Sequence, residues 1–249
     1  MRTSQFITVL TTLAACACGA AAGTQPHDMS AAQHERTAEE HAQRAQEHGS
    51  RYDPETKTTS TGCGEQTRIC WTSVENPTTA HQRAAEEHRR HAAAHRAASI
   101  ALRDAEARAC AGIDPDDRDI SPFDRTEDLA GVQPLEEEIS PSAPSQGRPR
   151  KQTTGAVVMF RARPGMTAEW LQRIADCHIA RNAALGHVAP EMPSCPLVPK
   201  GVEAHVTSTG DGFAIAIRSD DPAVAKEVLD RARRSLQRSR EAGAPHAAL

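Results

Sequence analysis

Two long runs without glycine or proline repeat alanine and histidine every seven residues, and this repeat constrains the fold more than any other feature of the chain. The first run extends from Ser30 to His48 and the second from Thr79 to Ala111. A seven-residue repeat of small and apolar residues places them along one face of an α-helix. We therefore predict two long helices, with Ser30 as the N-cap of the first.

Each predicted helix carries its repeat as two neighbouring columns. In the first helix the columns are Ala31, Ala38 and Ala45 and, three residues further on, His34, His41 and His48. In the second helix they are His81, His88, His95 and Leu102, with Ala84, His91, Ala98 and Ala105. Small side chains let two helices approach closely, so residues 29–112 are predicted to form an antiparallel helical hairpin. Residues 50–77 would join the helices, with the loop between Cys63 and Cys70 at the tip.

Material for a large apolar core is scarce. Aromatic residues make up 3% of the chain, and alanine supplies much of the 38% hydrophobic fraction. This composition favours close-packed helices over a large sandwich. The net charge is −4, with basic and acidic residues interleaved, so there is no broad positive field for nucleic acid. We expect no nucleic-acid partner.

The C-terminal part of the chain has a strand-like and then helix-like pattern. The segment from Gly155 to Arg163 suits a strand, and Thr167 would cap a helix that ends at Leu185. Two further strands alternate Val202, Ala204 and Val206, and then Phe213, Ile215 and Ile217. A last helix would follow Asp221 and Pro222 and continue to Arg238.

This order, βαββα, predicts a small antiparallel sheet with two helices on one face over residues 153–249. Such a unit resembles a ferredoxin-like fold that lacks its last strand. The predicted fold class is therefore α+β, a long helical hairpin followed by a small βαββα domain. Between them, residues 113–152 are acidic and rich in proline, which predicts a linker. We expect it to be partly ordered near Phe123 and Leu129 and loose beyond Ser140.

The first fifteen residues have the form of an export signal. Arg2 supplies a positive charge, and an uncharged apolar run follows it to Leu13. The run is about a dozen residues long, whereas a helix needs about 20 to span a bilayer. No later segment is as apolar over such a length, so we expect no transmembrane helix in the mature protein.

The sequence Leu13-Ala14-Ala15-Cys16 follows this run and resembles the lipobox of bacterial lipoproteins. The resemblance implies that a diacylglycerol is joined to the Cys16 sulfur and that residues 1–15 are removed. Residues 16–28 would then be a flexible tether. The residue after Cys16 is not Asp, which in this family implies the outer membrane, facing the periplasm. Cys18 is a second candidate for the lipid, and a plain secretory signal cleaved between Ala20 and Gly23 is the alternative.

Export makes disulfide bonds the expected state of the remaining cysteines. Cys63 and Cys70 flank a short loop and are predicted to pair. Cys177 and Cys195 lie in one predicted unit and are also predicted to pair. Cys18 and Cys110 are left without an assigned partner.

The histidines are the main candidates for chemistry. Side chains seven residues apart on one helix are roughly 10 Å apart along its axis, too far to share one metal ion. His88, His91 and His95 lie on one face, and His34 or, in the set we favour, His41 could approach from the other helix. This set could bind zinc, nickel or copper. The alternatives are histidines with only a packing role and a hairpin that responds to protonation near about pH 6.

No catalytic motif is evident. Cys177 and His178 are neighbours on a helix and point about 100° apart, so they do not face each other. The chain has no Gly-x-Ser-x-Gly, Cys-x-x-Cys or phosphate-binding glycine loop. We predict a non-enzymatic, lipid-anchored envelope protein that needs no cofactor and serves as a structural or partner-binding module. Its partners would be the membrane and another envelope protein. The alternative function is metal or pH sensing by the histidine-rich hairpin.

Overall fold

The computed structural model describes residues 23–63, 70–139, 150–188 and 194–243. The predictions for the export signal, the lipobox, Cys16 and Cys18 fall outside these ranges, as does the segment 140–149. Within them the chain forms two packed regions, a helical hairpin and a four-stranded sheet with helices. The predicted α+β class is confirmed.

Two long helices, α1 (Ala31–Arg51) and α2 (Thr79–Ala109), form the predicted hairpin. Ser30 begins α1 as predicted, because its hydroxyl accepts a hydrogen bond from the Gln33 amide. The Gln33 side chain accepts in return from the Ser30 amide, which completes a capping box. These bonds satisfy backbone groups that the helix itself leaves without a partner.

The connection between the helices is a two-stranded ribbon of β1 (Thr58–Cys63) and β2 (Cys70–Glu75). A disulfide joins Cys63 to Cys70 at its end, as predicted. These two strands were not predicted from the sequence. Gly62 is opposite Trp71, and a β-carbon on Gly62 would lie 2.9 Å from the indole. The glycine therefore makes room for the ring.

The second region is an antiparallel sheet in the order β3-β4-β6-β5. Its elements are β3 (Leu129–Ile139), β4 (Arg150–Arg161), α4 (Ala168–Ala184), β5 (Glu203–Ser208), β6 (Gly212–Arg218) and α5 (Pro222–Gly243). The run from β4 to α5 is the predicted βαββα unit. Strand β3 is additional and pairs with the open side of β4.

Residues 113–139 do not form the predicted linker. They contain the short helix α3 (Pro115–Asp119), a 3-10 turn at Pro122–Asp124 and strand β3. Phe123 and Leu129 are buried, which confirms order near them. The acidic stretch predicted to be linker is instead a charged edge strand. Glu136 pairs with Lys151, and edge strands commonly carry such charges.

The sheet region has a conventional apolar core. Strands β4 and β6 bury every second side chain, which α4 and α5 cover. The largest fully buried residues of this core include Phe123, Leu129, Val158, Leu171, Leu197, Ile215, Ile217 and Val228.

The two regions pack on each other through α2 and α4. The disulfide Cys110–Cys177 joins the end of α2 to α4, so the predicted Cys177–Cys195 pair is wrong. That prediction treated the two regions as separate, and it therefore considered only the nearby cysteine. Cys195 is not disulfide-bonded and lies in the sheet core.

Polar and backbone contacts extend this junction. Arg181 of α4 reaches Glu106 of α2 at 3.1 Å and Asp119 of α3 at 3.0 Å. Gly186 has φ of 78°, and a β-carbon there would lie 2.9 Å from Cβ of Ser30. Residues 26–28, predicted to belong to a flexible tether, form a 3-10 turn against α2.

Candidate functional site: a ladder of paired histidines

Six histidines meet in three pairs along the seam between α1 and α2. The Nδ1 atoms lie 2.9 Å apart in two pairs and 3.0 Å apart in the third. We call this set the histidine ladder; its pairs are His34–His95, His41–His88 and His48–His81. Each step moves seven residues forward in α1 and seven back in α2, because the helices are antiparallel.

The rings of each pair meet head to head. Their centroids are 5.1 to 5.3 Å apart and their planes are inclined by 38° to 43°. The Nδ1 atoms are thus the closest part of each pair and are at hydrogen-bond distance. One Nδ1–H donates to the lone pair of the other Nδ1, so at least one ring in each pair is neutral.

A backbone carbonyl decides the direction of the first hydrogen bond. His34 Nε2 lies 3.2 Å from the carbonyl oxygen of Pro26, which can only accept. His34 therefore carries its hydrogen on Nε2 and, when neutral, accepts at Nδ1. We assign the donated hydrogen of this pair to Nδ1 of His95. The proton-accepting nitrogen of the neutral pair is then Nε2 of His95.

Ring stacking connects successive pairs. His41 stacks on His91 at a centroid distance of 5.0 Å and on His95 at 5.7 Å. His48 stacks on His88 at 5.7 Å. The ladder is thus a continuous column of imidazoles rather than three separate contacts.

Burial and mutual proximity disfavour charge on two of these rings. The pKa of His41 is lowered by burial first, and then by His91, His88, His95 and Arg44. The pKa of His95 is lowered by burial first, and then by His34 and His91. His91 also has an acidic neighbour, because the exposed Glu87 carboxylate lies 3.9 Å from its Nε2 atom.

Alanine fills the space between the pairs. In α1, Ala31, Ala38 and Ala45 are buried in the predicted column. In α2 the histidine column is also as predicted, but the second predicted column is only partly buried. The residues four positions further on, Ala85, Ala92 and Ser99, are buried, whereas of the predicted set only Ala98 is. A broad helix–helix seam buries residues on both sides of its central column. Positions both three and four residues after each histidine therefore face the seam, and the prediction considered only the former.

The structure brings the predicted metal set together without forming a metal-binding geometry. His41 contacts His88 by a hydrogen bond, and His91 and His95 by stacking. Among the residues that the structure describes, no three donor side chains are placed to hold one ion. Stacked rings present faces to each other, whereas a metal needs several ring nitrogens aimed at one point.

The cysteine and histidine of α4 have structural contacts. Cys177 is in a disulfide, and His178 is buried with Nε2 3.1 Å from the carbonyl oxygen of Asp117. Burial is the main cause of the lowered pKa of His178. Burial also raises the pKa of the Cys195 thiol to about 11, so this thiol is protonated at neutral pH.

Comparison with known proteins adds no assignment: no protein-family model matches the chain, and neither the curated proteins nor the solved structures gave a match. Over residues 23–63, 70–139, 150–188 and 194–243, none of the helices combines the length and apolar character that crossing a membrane requires.

The histidine columns are evident in the sequence, but their pairing was not predicted from it. The missed signal is that the two columns have the same seven-residue step and must run in opposite directions in a hairpin. The role of Pro26 had no signal in the sequence, because its contact is made by a backbone oxygen.

Proposed function

We propose that this protein is a lipid-anchored, non-enzymatic envelope protein whose helical hairpin senses pH through the histidine ladder. The observation that supports the sensing role is the head-to-head Nδ1 contact in all three pairs. Of the two functions expected from the sequence, this contact favours the sensing alternative over a purely structural module.

The number of protons that each pair can hold follows from its hydrogen bond. A neutral pair shares one hydrogen between its Nδ1 atoms, and a singly protonated pair keeps that bond in charge-assisted form. A doubly protonated pair has two donors facing each other and no acceptor. Two like charges at this distance also repel, so the second proton separates the rings. Acid therefore acts directly on the contact between the helices.

The lowered pKa values fix the direction of the response. His41 and His95 bind protons less readily in the folded hairpin than in an unfolded chain, where a histidine pKa is about 6.5. The unfolded state therefore takes up more protons below that pH. Stability is fully present above about pH 6.5 and is lost as the pH falls below it towards the lowered values of the folded state.

A pair of matched variants tests the sensing role. We would measure the free energy of unfolding by urea between pH 8 and pH 5 for three proteins: the natural chain, His41→Gln with His88→Gln, and His205→Gln. Glutamine keeps a polar side chain and does not titrate. His205 is exposed on β5, away from the seam.

We expect the natural chain and His205→Gln to lose stability in parallel as the pH falls. The double variant should lose less, because one pair no longer takes up protons. Equal pH dependence in all three proteins would contradict a sensing role for the ladder.

The anchored location rests on the lipobox and agrees with the two disulfides, which fit an oxidising compartment. We expect Cys16→Ser to move the protein from the membrane fraction to the soluble fraction. Cys18→Ser is the matched control and should stay with the membrane. If Cys16→Ser also stays there, the lipid is not on this sulfur.

Transition-metal binding is the second candidate, because His41 contacts His88, His91 and His95 at once. Elemental analysis of the purified protein distinguishes the two functions. We expect less than one ion per chain. About one zinc, nickel or copper ion that disappears when these three residues of α2 are replaced would reverse the order of the two candidates.

A further inference from the structure

A cleft in the sheet region shares no lining residue with the histidine seam. It is formed by the segment from Arg125 to Asp128, the turn from Arg163 to Met166 and the first turn of α4 at Trp170. Its volume is about 640 Å³, which is in the range of small-molecule sites. Nothing in the proposed pH response uses this cleft.

The lining combines an apolar surface with opposite charges. Trp170 and Met166 supply the apolar part. Arg125 and Arg163 provide two positive charges, and Glu127 and Asp128 provide two negative ones. The lining charges balance, so the cleft does not select a simple anion or a simple cation.

The arginines of the cleft are held in place by carboxylates. Arg125 contacts Asp117 at 2.5 Å, and Arg163 forms an ion pair with Asp128. A guanidinium group has five N–H donors, so one ion pair leaves donors for a ligand. A fixed side chain also loses less conformational freedom when a ligand binds.

Asp128 is the one buried charged residue of this lining. Its side chain is 8% exposed, and its Oδ1 atom is the ion-pair partner of Arg163 Nε. The pair fixes the Arg163 guanidinium and leaves its other N–H groups for a ligand. An oriented guanidinium in the same cleft as Trp170 is the main sign that the cleft accepts a ligand.

We propose that the cleft between Trp170, Arg163 and Asp128 binds a neutral saccharide. A sugar ring has an apolar face of C–H groups, which packs on an indole ring. Its hydroxyl groups both donate and accept, so they match carboxylate acceptors and guanidinium donors side by side. A neutral, amphipathic and richly hydroxylated ligand is the class that fits all of these groups at once.

Tryptophan fluorescence gives a direct test, because the chain has two tryptophans and the other, Trp71, is on the exposed ribbon. Trp71→Phe leaves Trp170 as the only tryptophan, and excitation at the red edge of the indole band avoids the single tyrosine. We would titrate this variant with maltotriose, with triacetylchitotriose and with inorganic phosphate. We expect a saturable change in Trp170 emission with at least one of the sugars and none with phosphate.

Two charge-removing substitutions, made in the Trp71→Phe variant, test whether the sugar binds in the cleft. Asp128→Asn should weaken the sugar response by tenfold or more, since it releases the Arg163 guanidinium from its ion pair. Glu127→Gln should also weaken it, since an NH₂ group replaces one of the two carboxylate oxygens. Glu203→Gln removes an exposed carboxylate outside the cleft and should leave the response unchanged. If Asp128→Asn does not fold, Glu127→Gln carries the test, because Glu127 is exposed.

The proposal is wrong if neither sugar changes the emission, or if the sugar response is the same in Glu127→Gln as in the parent. A saturable response to phosphate that the sugars do not compete with would identify an anion site instead. None of these results depends on the histidines. Either this proposal or the proposed pH response can therefore be wrong without affecting the other.

Discussion

The hairpin and the sheet region bury different kinds of side chain. Between α4, α5 and the sheet, branched and aromatic side chains such as Phe123 and Ile215 fill the core. Between α1 and α2 the seam holds mostly alanine and histidine, with Ala38 and His34 almost fully buried. One core depends mainly on apolar area, whereas the other depends also on hydrogen bonds between titratable rings.

This difference separates what each region responds to. Large apolar side chains each contribute about 1.5–3 kcal/mol on burial and do not change with pH. An alanine contributes far less, so the hairpin relies more on its ladder and on the junction with α4. The two regions should therefore differ in how strongly they are destabilised by shortening a buried side chain, by enlarging one, and by acid.

The largest effect should come from removing a large side chain of the sheet core. Phe123 is 0% exposed and packs edge to face on Phe160. We expect Phe123→Ala to lower the free energy of unfolding by about 3–5 kcal/mol, through lost burial and a cavity. Urea unfolding at pH 7.5 measures it, with the exposed Ile100→Ala as the control. A loss below about 1 kcal/mol would mean that this core is not tightly packed.

Breaking the disulfide between the regions should have the next largest effect. Cys110 and Cys177 close a long loop, with a sequence separation of 67 residues. We expect Cys110→Ser to cost about 2–5 kcal/mol. Cys63→Ser, which opens a separation of only 7 residues at the exposed tip, should cost less. Urea unfolding of both variants without reductant gives the comparison, and an equal loss would contradict a special role for the junction.

A larger side chain at a buried alanine of the hairpin seam should destabilise the protein. The two helices pack closely at these positions because alanine is small. Ala38 is 1% exposed, and we expect Ala38→Leu to cost about 1–3 kcal/mol by overpacking. Ala32→Leu, on the exposed side of the same helix, is the matched control and should change stability by less than about 0.5 kcal/mol. A tolerated leucine at position 38 would show that the seam is loose.

Mild acid should produce the smallest effect and the most selective one. The lowered pKa values of His41 and His95 predict that protection of hairpin amides falls between pH 7.5 and pH 5. Amides of β4 and β6 should lose less protection than those of the hairpin. Their region has no ladder, although acid also acts there on the buried His178, whose pKa is lowered mainly by burial. Hydrogen exchange corrected for the intrinsic effect of pH on the rate provides the measurement. A uniform loss of protection over both regions would remove the distinction between them.

The sequence predicted those parts of the fold that depend on local pattern. The helices, the Ser30 cap and the βαββα order follow from periodicity and capping residues, which are properties of short segments. The seven-residue columns also placed the α1 histidines in the seam correctly. These features need no knowledge of what packs against them.

The parts that the sequence did not predict depend on contacts between distant segments. The glutamates of β3 are typical of solvated chain and therefore predict a linker. Only the pairing of this segment with β4 shows that it is an edge strand. The Cys110–Cys177 bond required knowledge that α2 packs on α4. The hydrogen placement in the ladder depends on one carbonyl oxygen, at Pro26.

The buried thiol of Cys195 affects how the disulfides form while the chain folds. In the folded protein it is inert, since it is 0% exposed and protonated. Before the sheet closes over it, however, it can attack a newly formed bridge and exchange partners with Cys110 or Cys177. The native Cys110–Cys177 disulfide is therefore open to exchange until the sheet core has closed over Cys195. We expect Cys195→Ala to raise the yield of correctly bridged protein when the reduced chain is refolded in air.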